Sequence, residues 1–331
     1  MTSLVAYLIE YADLILPFSQ ELIVAEHPEG DRMGNFLRVS GVILLASAAW
    51  PAAAAQDFNP YILRAVAKLN AERANGGYDI QKAFTHDIPY GGGFVKKTSG
   101  APAPAPSMCV AAVTETILTA INLYAADTGD KSPYAKAPLP LWARGTELSL
   151  RANFFMYAEV TSNGTGHTLA RFGMGEELPF EKLVPGDFIN FNRSNNSGHN
   201  VVFLGYLDGR GAPLPTSTGA KGFKYFSAQG KGRSDAGFGY RWAFFQGTCP
   251  ALPTGQVRDC NIKRTTNSRI LNAGRLWMPS KWTVTEKITE MRNKRLAEMT
   301  GKGIPTRSAE IELDTRELPD RVPRKYDDIG W

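Results

Sequence analysis

Residues 183–206 read LVPGDFINFNRSNNSGHNVVFLGY, and this stretch decides the fold. Pro185-Gly186-Asp187 predicts a turn, and the apolar residues 188–191 after it predict a short strand. A polar loop then leads into a second apolar strand that opens at His199. The pattern therefore predicts a β-hairpin with a long loop, and it places the imidazole of His199 where the second strand begins.

Upstream of this hairpin, residues 108–126 read MCVAAVTETILTAINLYAA and predict a strongly apolar helix in the centre of the core. Cys109 stands in the first turn of that helix. The positive end of the helix dipole stabilises a thiolate there and lowers the pKa of the thiol. The same helix start offers backbone N–H groups that can hold an oxyanion. Cys109 is therefore a candidate nucleophile, and His199 is the candidate base.

The N-terminal region predicts export from the cell. Residues 33–55, MGNFLRVSGVILLASAAWPAAAA, combine a positive charge at Arg38, an apolar run and a small-residue cleavage site. The run is shorter than the roughly 20 residues that a membrane-spanning helix needs. We interpret residues 1–55 as an upstream extension plus a signal peptide, with Met33 as the start. We therefore expect a secreted or periplasmic protein with no stable membrane span after cleavage.

The chain has only three cysteines. Thiols in exported proteins tend to form disulfides, and Cys249 and Cys260 enclose a Pro- and Gly-containing loop, CPALPTGQVRDC. We predict a Cys249–Cys260 disulfide, which leaves Cys109 as the odd thiol and marks it as reactive.

Three segments of the chain match a known pattern: Ser107-Met108-Cys109 with the apolar helix, LVPGDFINF at 183–191, and GHNVVFLGY at 198–206. In this order they resemble the papain-like superfamily of NlpC-type and CHAP-type cell-wall hydrolases. The resemblance covers roughly residues 85–245. It implies a nucleophilic Cys109 and a basic His199. It also implies a polar residue on the next strand that orients the imidazole, for which Gln229 is the candidate and Ser227 the second choice.

The family usually has His, Asn, Glu or Asp at this third position, so a glutamine there departs from the pattern. Further candidates, for lining the cleft, are Tyr90, His86 and Met108. Packing in the core is the alternative for Tyr90, and a surface or turn position is the alternative for His86. His167, in the polar stretch SNGTGHTLA, is expected to be exposed.

The predicted fold class is α+β and papain-like, with the nucleophile at the N-terminus of a central helix packed on a small antiparallel sheet. We divide the chain into residues 1–55, a catalytic domain at 56–280, and a charged region at 281–331. In that last region Thr283 and Glu286 can form a capping box for a helix that ends near Met299. The remainder, 302–331, is expected to be extended or disordered.

Together these features predict an exported cysteine peptidase or amidase that cleaves peptidoglycan stem peptides or other peptides. The alternatives are a thiol acyltransferase of the transglutaminase kind and a catalytically inactive binding protein on the same fold. The net charge of +5 is mild for 331 residues and favours adsorption to anionic wall polymer. Without basic runs or metal-ligand spacings, we expect a monomer that uses no cofactor, metal or nucleic acid.

Overall fold

The computed structural model describes residues 58–98 and 105–318, so the predicted signal peptide lies outside the described residues. The longer helices are α1 (Asn59–Arg73), α2 (Cys109–Thr128), α7 (Val284–Gly301) and α8 (Thr306–Thr315). Short helices between them are α3 (Ser132–Lys136), α4 (Leu139–Ala143), α5 (Leu150–Phe154) and α6 (Thr165–Arg171). The strands are β1 (Ile88–Tyr90), β2 (Gly93–Lys96), β3 (Gly175–Glu177), β4 (Phe188–Asn192), β5 (Gly198–Leu207), β6 (Pro213–Leu214), β7 (Gly222–Gln229), β8 (Gly237–Phe245), β9 (Arg258–Ile262) and β10 (Leu271–Leu276).

The molecule is α+β, as predicted, but its main sheet is larger than expected and is mixed. Seven strands run in the order β3-β10-β4-β5-β7-β8-β9, and β6 pairs with β5 as an eighth. Strands β8 and β9 are parallel, which corrects the prediction of a small antiparallel sheet. Beyond the end of β4, Arg193 forms an antiparallel bridge with Ile262 of β9. The strands β4-β5-β7-β8-β9 therefore close into a ring, and β10 and β3 extend from β4.

This sheet separates two apolar clusters. The outer cluster joins helices α1 and α2 to the outer face through residues such as Val202, Phe226 and Ala228. The inner cluster fills the ring with residues such as Phe191, Phe203 and Tyr225, and the rings of Phe180, Phe203, Phe223 and Phe245 meet there. Because successive side chains along a strand point to opposite faces of the sheet, each central strand contributes residues to both clusters.

The predicted hairpin and central helix are both present. Strands β4 and β5 pair antiparallel from Phe188↔Val202 to Asn192↔Gly198. Helix α2 packs against β5 and β7 and contributes most of its side chains to the outer cluster. By length and composition α2 could also cross a membrane, but 78% of its most apolar window is buried in the protein, as in the core helix of a soluble domain.

The described part of the C-terminal region, up to residue 318, contains more helix than predicted. Helix α7 begins after Thr283, although the threonine side chain forms no capping hydrogen bond. Trp282, Val284 and Leu318 belong to the outer cluster, so this region is packed on the domain. Helix α8 lies within the segment that we expected to be extended or disordered, and its buried Ala309 and Leu313 pack with Met299 of α7. That apolar contact explains why the segment folds despite its charge.

The predicted disulfide is present between Cys249 and Cys260. It links the loop that follows β8 to the middle of β9, the strand that closes the ring.

Candidate functional site

Cys109 is the first residue of helix α2, and it is fully buried. Met108 precedes it with extended dihedral angles, φ −126° and ψ 165°, so the chain turns sharply into the helix at this point. The helix does not extend towards the N-terminus beyond Cys109, because Ser107 forms an isolated β-bridge with Tyr78. The thiol therefore occupies the helix start that the sequence predicts.

Hydrogen bonds tie this helix start to one end of the sheet. The Ser107 amide donates to the Gly77 carbonyl at 3.2 Å, and the Gly77 amide donates to the Ala236 carbonyl at 2.9 Å. Ala236 precedes Gly237, which pairs with Gln229 at the end of β7. His199 is the second residue of β5, which pairs antiparallel with β7, so it lies at this same end. Cys109, His199 and Gln229 are therefore gathered at one end of the sheet.

The side chain of His199 points to the inner face of the sheet. Its ring contacts Phe191 (centroids 5.7 Å apart) and Tyr225 (5.5 Å), both members of the inner cluster. Helix α2 packs on the other face, where Val202 points. The sequence did not reveal this alternation, because a hairpin pattern does not say which face meets the helix. The Cys109–His199 dyad stays a prediction.

A buried charge network surrounds His199. Arg193 donates through Nε and Nη2 to the two carboxylate oxygens of Asp259, each at 2.7 Å, and the Tyr225 hydroxyl donates to Oδ2 at 2.8 Å. Burial, reinforced by the Arg193 guanidinium, lowers the pKa of His199 to about 3, although Asp259 and Gln229 act in the opposite direction. His199 is therefore a neutral imidazole at physiological pH. Sequence reasoning missed Arg193, Asp259 and Tyr225, because they are far apart along the chain.

Gln229 stands where the third catalytic residue was predicted. Its Oε1 lies 3.5 Å from Nε2 of His199, a long separation for a hydrogen bond. Its Nε2 donates to the Gly239 carbonyl at 3.2 Å, which turns the amide oxygen towards the imidazole. The second choice, Ser227, instead donates to the Asn200 carbonyl at 2.7 Å.

The three residues predicted to line the cleft lie in the interior instead of along an open groove. Met108 is fully buried. Tyr90 donates to the Ala137 carbonyl at 2.7 Å. His86 is 5% exposed and its Nε2 lies 2.7 Å from Oε1 of Glu115, which corrects the expectation of a surface or turn position.

In the stretch SNGTGHTLA, residues 165–170 belong to helix α6, and the His167 side chain is 26% exposed, which corrects the expectation of an exposed residue in a loop. An asparagine ladder, Asn272–Asn190–Asn200, runs across the neighbouring strands β10, β4 and β5 in exact register. Asn190 Oδ1 accepts from the Thr165 amide at 2.7 Å, and Asn272 Oδ1 accepts from the His167 amide at 2.9 Å. The Asn200 amide donates to the Thr165 hydroxyl at 2.8 Å. The ladder therefore caps α6 beside the strand end that carries His199.

Gly164 allows the start of α6 to lie close to the asparagine ladder. Gly164 has φ +121°, and a Cβ there would lie 2.2 Å from Asn190. The spacing Gly164-Thr165-Gly166 was visible in the sequence, but nothing in it connected those glycines to three asparagines on separate strands.

Comparisons with protein-family models, curated proteins and solved structures returned no match to this chain. The function is therefore argued from the site alone.

Proposed function

We propose that this protein is a papain-like cysteine hydrolase that cleaves peptide or amide bonds, with peptidoglycan stem peptides as the substrate class. The observation that carries the proposal is the position of Cys109. It begins a buried helix whose start is hydrogen-bonded, through Gly77 and Ala236, to the sheet end where His199 and Gln229 lie side by side.

The chemistry assigned to these residues runs in two steps. In the proposed step the neutral imidazole of His199 takes the proton of the Cys109 thiol as the sulfur attacks the substrate carbonyl. The oxyanion is held by backbone N–H groups of the first turn of α2. The imidazolium then gives its proton to the leaving amine, and the C–N bond breaks. Water hydrolyses the resulting thioester and regenerates the thiol.

Substituting Cys109→Ala tests this proposal directly. We expect the rate of hydrolysis of purified muropeptides to fall by about a thousandfold or more, because no other group can form the acyl-enzyme. Mass analysis of the products measures this rate. The circular dichroism and the unfolding midpoint should change little, since alanine fits the cysteine site. Hydrolysis that persists in the variant would refute the assignment.

Acyl transfer uses the same thioester and differs only in the nucleophile that releases it. Adding a primary amine to the reaction distinguishes the two, because a transferase gives an amide product and a hydrolase gives the free acid.

One observation favours the alternative of an inactive binding protein: both Cys109 and His199 are fully buried. A thiol-reagent titration separates the two readings. An active enzyme has to expose Cys109 to substrate, so we expect modification with an apparent thiol pKa below the ordinary value of about 8.5. A thiol that reacts only after the protein unfolds would support the binding protein.

A further inference from the structure

A cavity of about 680 Å³ lies between helices α6 and α7, and we call it the α6–α7 groove. Its walls are Arg171 and His167 of α6, Met291 and Lys294 of α7, and a connecting segment that includes Glu159. Ligand sites in proteins commonly have volumes of roughly 300–1,000 Å³. Helix α7 lies outside residues 85–245, so the groove uses a part of the chain to which the hydrolase proposal gives no role.

Most charges in this groove compensate each other. Arg295 forms ion pairs with Glu147 and Glu298, each at 3.1 Å, and Lys287 pairs with Glu290 at 2.8 Å. On the α6 side, Nδ1 of His167 lies 3.1 Å from Oε1 of Glu177, whose other oxygen accepts from Asn272. Arg295–Glu147 and His167–Glu177 link separate elements, whereas the other two pairs lie within α7.

Arg171 is the exception. It is half-buried, and none of the described carboxylates forms an ion pair with it; Glu147 acts on it only at longer range. Its Nη1 donates to Asn153 Oδ1 at 3.1 Å and to the Thr161 carbonyl at 2.6 Å, and its Nε faces the Met291 sulfur at 3.1 Å. These neutral partners fix the guanidinium in place without balancing its charge. A half-buried cation held in this way favours an anionic ligand.

Two more lining residues complete the charge pattern. Lys294 on α7 and Glu159 on the opposite wall form no salt bridge within the described part of the chain, although the charge of Lys294 acts on Glu290, one turn earlier. The lining as a whole has four Lys and Arg side chains and five carboxylates, so groups of both signs are mixed and the groove has no surplus of positive charge. That pattern complements a molecule with carboxylate and ammonium groups, and it does not suit an inorganic polyanion, which Glu159 would repel.

We propose that the α6–α7 groove binds a free amino acid or short peptide as its zwitterion. Arg171 and Lys294 bind the carboxylate, and Glu159 binds the ammonium group. The start of α6 lies against β5, because the Thr165 hydroxyl is 2.8 Å from the Asn200 amide, and Asn200 follows His199 in the chain. Helix α6 therefore connects the groove to the candidate site. Binding needs neither Cys109 nor His199, and the inference therefore stands or falls separately from the hydrolase proposal.

The test is calorimetric titration of the full chain carrying Cys109→Ala with the dipeptide Ala-Glu at low ionic strength. We expect saturable binding that weakens about tenfold or more in Arg171→Met, because a charge-assisted hydrogen bond is lost. Lys294→Glu, at an exposed position where folding is not at risk, should weaken binding at least about threefold. Arg210→Met is the matched control, since this side chain is 92% exposed and lies outside the groove, and it should bind as the parent does.

Three results would overturn the inference. The first is that the parent protein gives no saturable binding. The second is that the amidated dipeptide or inorganic phosphate binds as tightly as Ala-Glu. The third is that Lys294→Glu binds like the control. If Arg171→Met fails to fold, Lys294→Glu decides the question. Because Cys109→Ala cannot turn substrate over, loss of hydrolase activity cannot imitate any of these outcomes.

Discussion

His199 shows how a single buried side chain links the site to stability. Its imidazole is fully buried against Phe191 and Tyr225, where a positive charge is poorly solvated. The resulting pKa of about 3 lies below the ordinary value of about 6.5 for an unfolded histidine. Between these two values the unfolded chain binds a proton that the folded protein does not.

The folded protein should therefore lose stability as the pH falls from about 6.5 towards 3. At pH 4.5 the titration of His199 lowers the free energy of unfolding by about 2–3 kcal/mol relative to pH 8. His199→Gln removes this titration, so its free energy of unfolding should fall less over the same range, whatever its value at pH 8. Denaturant unfolding of both proteins at each pH measures the difference. His86 and His167 are present in both, and equal pH slopes would contradict the prediction.

At the scale of elements, the hairpin and helix α2 were predictable because each follows from local periodicity and turn residues. Gln229 lies beside His199 on the neighbouring strand, and its role as the third catalytic residue stays a prediction. The face on which His199 lies was not predictable, because a shift of one residue exchanges the two faces of a strand. Helix α6 was missed for a related reason: its first turn is capped by asparagines from three strands, and local sequence carries no trace of such partners.

The docking of α6 on the asparagine ladder depends on Gly164. Gly164→Ala should destabilise the protein by about 2 kcal/mol or more, because alanine disfavours φ +121° and its Cβ would meet Asn190 at 2.2 Å. Gly301→Ala is the matched control, since a Cβ there meets nothing within 4 Å and the backbone is helical. We expect it to be neutral or slightly stabilising. Thermal or denaturant unfolding compares the two, and equal effects would show that the close approach is not required.

At the scale of the whole molecule, the Arg193–Asp259 pair joins the segment after β4 to β9 inside the closed ring. Asp259→Asn should cost about 3–5 kcal/mol of unfolding free energy, because it leaves the Arg193 guanidinium buried beside a neutral amide. The double variant Arg193→Met/Asp259→Leu should lose much less than the sum of the losses in the single variants Arg193→Met and Asp259→Leu.

A double-mutant cycle in denaturant measures this coupling. The exposed pair Lys287–Glu290 is the control cycle, with an expected coupling of at most about 1 kcal/mol. Additive effects at Arg193 and Asp259 would mean that the ring is held by its apolar filling alone.

The bridge between Arg193 and Ile262 also bears on how this protein behaves in a crowded solution. The strand order alone gives the long strands β5, β7 and β8 neighbours on both sides, and the bridge adds a partner for the outer side of β9 at Ile262. Among the described strands of the main sheet, the open edges are those of β3, with three residues, and β6, with two. The outer side of β9 is open except at the bridge. An exposed strand edge invites pairing with another chain, and such short edges give it little to extend. Ring closure therefore protects the folded molecule from edge-to-edge aggregation.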